Sequence, residues 1–202
     1  MTEEKDKILK AASEIFFSRG FYKIPVDEIA FSLKMSKKTI YKHFPAKQEL
    51  VKAVASLFMK THSGNITGIV NKEYNAVEKL YYVFKYLGNV LINVNEQWFS
   101  DIQNQAPEIW AEIEDFRGKI MTLNISKIIE QGKREGYIVN HPSEIIINIF
   151  ISSIRGIINP GFILTHKISA GKAFESTLDI LMNGILTSKG KNVHKKLIME
   201  KF

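Results

Sequence analysis

Apolar residues along this chain recur mostly at the spacing of an α-helix. From Lys5 to Arg19 they form a one-sided stripe, and Gly20 follows directly after it. Such a stripe, ended by a glycine, predicts a helix with one buried face. Beyond residue 50 the chain shows no strand alternation and no glycine-rich phosphate loop, only further helical periodicity with short breaks. The pattern therefore predicts an all-α fold.

Two short helices are predicted after the first one. Pro25 can occupy the first position of the second helix, whose apolar residues again share one face. A tight break at "KMS" follows, and Ser36 is a good N-cap for a third helix, "KKTIYKHF", with Ile40 and Phe44 directed inward. Two short helices joined by such a turn are typical of a helix-turn-helix, whose second helix enters the major groove of DNA.

The remaining side chains of the third helix are expected to point outward, and they suit a DNA surface. They offer cations and hydroxyls to phosphates or base edges, and an aromatic ring to a sugar or a thymine methyl. These side chains are Lys37, Lys38, Thr39, Tyr41, Lys42 and His43. With Lys34 and Lys47, the segment has five lysines within fourteen residues that contain no acid. A solvated lysine-rich face is the alternative interpretation, and the helical pattern favours DNA.

The formal net charge of +7 is concentrated at the two ends of the chain. Residues 1–50 hold 10 basic and 7 acidic side chains, residues 51–188 hold 13 of each, and residues 189–202 hold 5 and 1. The large middle part is therefore neutral, which gives it no nucleic-acid signature. We expect the basic last fourteen residues to be a mobile solubilising end, with added non-specific DNA affinity as the alternative.

With these features, "ILKAASEIFFSRGFYKIPVDEIAFSLKMSKKTIYKHFPAKQELVKAV" resembles the DNA-binding region of the TetR family of repressors over nearly all of residues 5–55. The matching residues are Ala11, Phe16, Gly20, Val26, Ile29, Ala30, Ser36, Thr39, Tyr41, Phe44, Lys47 and Leu50. The resemblance implies that Tyr41 contacts the DNA backbone or a base and that Thr39 contacts a phosphate. It also implies that Lys47 meets a phosphate from the start of a fourth helix.

Three positions depart from this family pattern. Ile24 and Pro25 stand where a Thr or Ser pair is usual, so the second helix lacks a side-chain cap. Lys34 stands where glycine is frequent, which implies either a positive φ at a lysine or a different turn. Ala46 replaces a usual polar cap before Lys47. None of these changes removes a side chain that is expected to face the groove.

The resemblance implies two domains, a helix-turn-helix domain at residues 1–46 and a helical effector-binding and dimerisation domain at residues 47–202. Helices in the second domain are predicted at residues 47–63, 75–94, 96–104, 107–135, 142–164 and 171–187, with a break at Gly64 to Gly68. In such proteins this domain holds a small-molecule pocket among its middle helices and dimerises through its last two long helices.

Apolar residues surround the helix near 142–164, which favours burial on two sides. The small residues Ser152, Ser153 and Gly156 would let a second helix approach closely. Apolar residues of the helix near 171–187 are expected to join them, namely Leu178, Leu181, Met182, Ile185 and Leu186. Together these residues predict a four-helix homodimer interface, which places two recognition helices on a palindromic operator.

Aromatic residues are frequent between residues 74 and 116. Each can be a simple core residue, whereas together they suggest the wall of a cavity for a small apolar or aromatic effector of unknown identity. The candidate pocket residues are Tyr82, Asn89, Asn93, Gln97, Trp110, Met121 and Arg155. For Arg155 three interpretations stay open: an acidic effector group, an acid such as Glu144 or Asp179 across the dimer, or the solvent edge of its helix.

The composition argues against other classes of function. The chain has no cysteine and only five scattered histidines, so it shows no metal or nucleophile motif and is not expected to be an enzyme or to hold a cofactor. Its start is charged, and Arg155 interrupts the apolar stretch at residues 145–164, so we expect a cytoplasmic protein without a membrane span. A DNA-binding regulator that is controlled by a protein partner, with no small-molecule effector, is the alternative.

Overall fold

A computed structural model describes residues 3–199, and within that range the chain is all-α, as predicted. The helices are α1 Glu3–Arg19, α2 Val26–Ser32, α3 Lys37–His43, α4 Lys47–Val70, α5 Ala76–Asn93, α6 Glu96–Gln105, α7 Pro107–Arg134, α8 Ser143–Ile157, α9 Pro160–His166, α10 Ala170–Ile185 and α11 Ser188–Met199. An isolated antiparallel bridge joins Ile138 to Leu186.

Three expectations about where the chain is helical were wrong. The break expected at Gly64 to Gly68 does not occur, because Ile66 and Val70 are buried in a core that keeps α4 helical. The helix predicted at 142–164 is divided into α8 and α9, since the Asn159 side chain caps α9 by accepting from Phe162 N (2.9 Å) and Pro160 cannot continue the preceding helix.

The third difference is α11, which occupies most of the segment that we expected to be a mobile end. Lys189 Nζ donates to Glu135 O at the end of α7 (2.8 Å) and also lies over the ring of Tyr137. Gly190 is buried against the Tyr137 carbonyl, where a Cβ would come within 2.3 Å. These contacts explain why a basic, weakly apolar sequence is folded here up to Met199. The expectation for residues 200–202 concerns a segment outside the described residues.

The chain divides into two compact units. Among the described residues, unit 1 combines those up to Thr61 with Asn93–Asp115, and unit 2 combines His62–Ile92 with those from Phe116 onward. The boundary between the two functional domains, expected between residues 46 and 47, stays a prediction. Both residues lie in unit 1, so this position does not coincide with the division into compact units. Unit 2 has its own core, in which α8 packs against α10 and the rings of Phe84 and Phe150 stack 5.7 Å apart.

The aromatic side chain of Trp98, on α6, lies at the centre of unit 1. It is fully buried, and its ring centroid lies 6.1 Å from that of Phe16 and 5.1 Å from that of Phe17, both on α1. Asn95 N donates to Phe17 O (2.8 Å), which fixes the start of α6 at the end of α1. The helix-turn-helix therefore packs on a helix that is distant in the sequence.

None of the described helices is by itself long and apolar enough to span a membrane. Helices α8 and α9 meet that criterion only when they are taken together, and the pair is bent by 59°.

The turn between α2 and α3 is a Schellman motif with a lysine at its left-handed position. Lys34 has φ 53°, its N–H donates to Phe31 O (3.0 Å), and Met35 N donates to Ala30 O (2.9 Å). The first of the two alternatives for Lys34, a positive φ, is therefore confirmed. Pro25 is the N-cap of α2 rather than its first helical residue, and that cap has no side-chain hydrogen bond, as expected.

Replacing Lys34 by glycine is expected to stabilise the protein, because glycine adopts a positive φ without a Cβ clash. The free energy of unfolding should rise by about 0.5–1 kcal/mol, after the larger entropy of glycine in the unfolded chain is subtracted. Urea titration followed by circular dichroism measures it. Lys38→Gly, inside α3, is the matched control and should destabilise by about 1 kcal/mol. Equal losses in both variants would contradict this account of the turn.

Candidate nucleic-acid interface

Helix α3 begins at a side-chain cap, as the sequence predicts. The Ser36 hydroxyl oxygen accepts from Thr39 N (3.1 Å) and also lies 2.8 Å from the Thr39 hydroxyl. Ile40 is fully buried and Phe44 is nearly so, which turns one face of α3 toward the core of unit 1. The opposite face carries the polar side chains, and the Thr39 hydroxyl is already engaged by the cap.

Three side chains on this outer face are exposed and chemically suited to DNA: Lys38, Tyr41 and Lys42. Their two ammonium groups can neutralise phosphates, and a tyrosine presents both a ring and a hydroxyl. Because α3 has just seven residues, these three positions occupy most of its exposed surface. The helix therefore presents a compact cationic and aromatic face.

Lys37, at the start of α3, is not a free cation in this structure. Its Nζ donates to Asp27 Oδ2 on α2 (2.9 Å), and both side chains are exposed. This hydrogen bond raises the pKa of Lys37, so the lysine stays protonated. Asp27 therefore places a negative charge beside the proposed DNA surface, which weakens what Lys37 can offer to a phosphate.

His43 lies in a different environment from the one that the sequence suggested. Its side chain is 14% exposed, and its Nε2 is 2.6 Å from Glu4 Oε2 on α1. The expectation that His43 points outward was wrong, because α1 packs over this end of α3 and supplies a carboxylate. A direct DNA contact by His43 stays a prediction, and the geometry gives the side chain a role in holding α1 to α3.

Lys47 stands at the start of α4 and is half-buried. Its Nζ donates to Tyr22 O (2.9 Å) and lies 5.8 Å from the ring centroid of Phe21. Burial lowers the pKa of Lys47, and the charge of Asp101 opposes that effect. The ammonium group is therefore held in one place by the link between α1 and α2, with further N–H donors beyond the one that Tyr22 uses.

Sequence reasoning did not find Asp101, a buried residue of α6 that bonds to this same link. Phe21 N and Tyr22 N both donate to Asp101 Oδ2 at 2.7 Å. The sequence held a weak signal, an acid among buried apolar positions of one helix, but nothing in it identified a partner about eighty residues away.

The predicted effector-pocket residues are divided between the two units. Unit 2 contains Tyr82, Asn89, Met121 and Arg155, and unit 1 contains Asn93, Gln97 and Trp110. Tyr82 is half-buried, with its ring 4.9 Å from Tyr74 and 5.3 Å from Tyr81, and Met121 is half-buried against the unit 2 core. These two are the candidates that the chain itself places in an apolar environment within unit 2.

The polar pocket candidates are more exposed. Asn89, Asn93 and Gln97 lie at the surface, and the Gln97 amide donates to Asp101 Oδ1 (2.6 Å), which is a structural contact. Arg155 is exposed, with its guanidinium over Gly118. This exposure agrees with two of the interpretations of Arg155, a position at the solvent edge of its helix or a contact across the dimer. Effector binding by these residues stays a prediction.

His62 is half-buried in α4. It shares a hydrogen bond with the Tyr86 hydroxyl of α5, and Asn65 Nδ2 donates to the same hydroxyl (2.8 Å). Burial lowers the pKa of His62. Helix α4 extends beyond its predicted end and packs this turn against α5.

Comparison with known proteins agrees with the geometry of α1 to α4. Residues 8–54 match the model for bacterial regulatory proteins of the tetR family. This segment is therefore a DNA-binding region of the tetR family type. It is 24% identical to the uncharacterized HTH-type transcriptional regulator YvaF of Bacillus subtilis over 182 residues, which cover 89% of this chain and 94% of YvaF. The resemblance inferred from the sequence, and the assignment to regulators rather than enzymes, are confirmed.

Solved structures extend the similarity of fold to nearly the whole chain. A TetR family transcriptional regulator from Agrobacterium tumefaciens aligns with a TM-score of 0.69 and 17% identity, over 91% of this chain and 98% of that one. A putative transcriptional regulator from Saccharomonospora viridis, solved in complex with choline, aligns with a TM-score of 0.70 and 18% identity, over 93% and 100%. These structures show the fold, and the family match at residues 8–54 together with the similarity to YvaF identifies a transcription regulator with a DNA-binding helix-turn-helix.

Removing the carboxylate of Asp27 is expected to strengthen DNA binding, because Lys37 then becomes available to a phosphate. Asp27→Asn should tighten binding by about threefold and make the slope of log affinity against log salt steeper, by up to about one unit for each bound chain. Fluorescence anisotropy with a labelled duplex across a salt series measures both. The gain should disappear in a Lys37→Met background, and if it persists there, the effect is one of overall charge and not of this ion pair.

Proposed function

We propose that this TetR family regulator is a homodimeric repressor that binds a palindromic operator and releases it when a small molecule binds to the helical part. The observation that carries the proposal is the combination of two surfaces on one chain. One is the cationic and aromatic face of α3, and the other is an exposed apolar face on α8 and α10. The first suits DNA, and the second suits another copy of the chain.

On the DNA side, α3 enters the major groove with Lys38, Tyr41 and Lys42 toward the duplex. The two lysines neutralise phosphates and release counterions, which makes the affinity fall as salt rises. Lys47 approaches a phosphate from the N-terminus of α4, where the positive end of the helix dipole adds to its charge. Ser36 and Thr39 hold the first turn of α3 and thereby fix the direction of the other side chains.

The proposed dimer face differs from the one that the sequence suggested. Leu178, Leu181, Met182, Ile185 and Leu186 are buried within the chain, so they cannot form it. On α8, the exposed positions follow one helical face: Ile145, Ile149, Ser152 and Gly156. On α10, the exposed positions include Ile180 and Gly184. Because α8 packs against α10, these residues belong to one two-helix surface.

The physical case for a second copy rests on exposed apolar and small residues together. Ile180 is 72% exposed and Ile145 is 55% exposed, which is costly in water. A Cβ built at Gly156 or Gly184 meets nothing within 4 Å, so a neighbouring helix can approach closely there. Two copies related by a two-fold axis give a four-helix interface and two recognition helices about 34–36 Å apart or a multiple of that.

The ligand response is supported by Tyr82 and Met121 in unit 2 and by the choline complex of the Saccharomonospora viridis neighbour. The ring of Tyr82 contacts those of Tyr74 and Tyr81, and aromatic rings and thioethers are side chains of the kind that line small-molecule sites. We infer a small apolar or aromatic effector, whose binding is linked reciprocally to that of DNA. Release of labelled operator by such a compound is the signature that an anisotropy screen would detect.

Substitutions on α3 and α4 test the DNA-binding residues. Tyr41→Ala and Lys47→Ala are each expected to weaken binding to a duplex selected from a random pool by the wild-type chain. Lys47→Ala should also lower the salt slope by about one per protomer, because a phosphate contact is lost. Lys85→Ala, an exposed lysine of α5 in unit 2, is the control and should leave affinity within about twofold. Wild-type affinity in both α3 and α4 variants would refute the assignment.

A charge on the α10 face tests the dimer. Ile180→Glu should shift the chain from dimer to monomer in analytical ultracentrifugation, because it would bury an unpaired carboxylate between two copies. Ile92→Glu on α5 is a matched control, since Ile92 is also 72% exposed. The control should remain dimeric. A dimer that survives Ile180→Glu would show that another surface joins the two copies.

A further inference from the structure

The carboxylate of Asp101 holds the link between α1 and α2 from a helix far along the chain. Asp101 is 5% exposed, and its Oδ2 accepts from Phe21 N and Tyr22 N, both at 2.7 Å. Its other oxygen, Oδ1, accepts from Gln97 Nε2 at 2.6 Å. A buried carboxylate must be paired to be tolerated, and here three N–H donors satisfy it.

Gly20 makes this approach possible. Its φ is +77°, and a Cβ built there would lie 2.5 Å from Asp101 Oδ2 and 2.6 Å from Gln97 Cγ. Any other residue would therefore force the side chains of Asp101 and Gln97 to move, besides straining the backbone. The carboxylate and the glycine are complementary parts of one contact.

The same two residues of the link also hold Lys47. Tyr22 gives its N–H to Asp101 and its carbonyl to Lys47 Nζ (2.9 Å), and Phe21 gives its N–H to Asp101 and its ring to the Lys47 ammonium. Asp101 also acts on Lys47 through its charge, since it opposes the effect of burial on the lysine pKa. The N–H groups of Phe21 and Tyr22 are thus bound by Asp101 of α6, while the Tyr22 carbonyl and the Phe21 ring contact the Lys47 ammonium group.

We propose that Asp101 is a positioning residue for DNA binding, which acts by holding the Phe21–Tyr22 link so that the Lys47 ammonium group is placed for a phosphate. The inference rests on the phosphate contact of Lys47 in the proposed function. It extends the DNA-binding machinery to α6, which follows the helix-turn-helix by about fifty residues. Asp101 itself does not contact DNA.

The sign of the effect separates positioning from general electrostatics. Removing an acidic group from a DNA-binding unit ordinarily strengthens binding, since the unit becomes more positive. If Asp101 positions Lys47, its neutralisation weakens binding instead. A merely structural role also predicts weakening, but that loss would be the same whether or not residue 47 is a lysine.

The test is a double-mutant cycle on the full chain. The probe is a fluorescein-labelled duplex that the wild-type chain selects from a random pool, and anisotropy is measured between about 50 and 200 mM salt. The variants are Asp101→Asn and Lys47→Met, singly and combined, and Asp101→Asn in a Lys42→Met background. Glu108→Gln is the matched control, because it removes one exposed carboxylate from the same unit. Urea titration gives the folded fraction of each variant.

Asp101→Asn is expected to weaken binding by about fivefold in the wild-type and Lys42→Met backgrounds, and by less than about twofold when residue 47 is Met. Its salt slope should fall toward that of Lys47→Met. Tighter binding, as expected for Glu108→Gln, would overturn the inference. An equal loss in all backgrounds would also overturn it, because that result indicates a structural role alone.

Failure of the proposed function gives a different result. If Lys47→Met binds as the wild type does, the phosphate contact is absent and the inference falls with it, whatever Asp101→Asn shows. If Asp101→Asn does not fold, Gln97→Leu decides, because it leaves the carboxylate in place and removes the donor that orients it. A smaller weakening that depends on Lys47 supports the proposal, and unchanged binding refutes it.

Discussion

The buried face of α6 joins two distant stretches of the chain into one core. Trp98 fills the space beside Phe16 and Phe17, and Asp101 bonds to the backbone after Gly20. The indole Nε1 of Trp98 is buried and has no hydrogen-bond partner among the described residues, which costs about 1–3 kcal/mol. The burial of large aromatic surfaces offsets this cost, and the helix-turn-helix depends on that packing for a rigid base.

This base explains why the lysines near α3 are not equivalent. Lys38 and Lys42 are exposed and free to follow a phosphate backbone, whereas Lys37 is paired with Asp27 and Lys47 is held by Tyr22. A count of charges treats all four alike. The geometry instead separates two exposed cations from one that is paired with a carboxylate and one that is held by a backbone carbonyl.

Unit 2 is organised around the contact between α8 and α10. Its core residues face inward from both helices, and the opposite faces carry isoleucines beside glycine and serine. The segment that follows α10 bonds back to the end of α7, where Thr187 Oγ1 donates to Gly136 O (2.9 Å) and α11 begins. The two-helix surface is therefore supported within unit 2, by the packing of α8 on α10 and by the hydrogen bond that follows α10.

Local pattern determined most of the helices and the exposed polar face of α3. The stripe of α1, the cap at Ser36 and the lysines around Tyr41 follow from residue type and spacing, because a helix repeats every 3.6 residues whatever surrounds it. The sequence also indicated the positive φ at Lys34 as one of two alternatives. The expectation of an all-α fold needed nothing more than these signals, whereas the expectation for the family came from the resemblance over residues 5–55.

The tertiary structure decided what depends on partners far apart in the chain. Glu4 turned His43 inward, the core kept α4 helical past Gly64, and contacts with the end of α7 folded α11. On α10, which packs against α8, Leu178 and Leu181 are buried, and the exposed apolar residue is Ile180. A sequence shows which side chains can be buried or paired, but the partner of each is set by the packing of the whole chain, because burial is a property of neighbours and not of the residue itself.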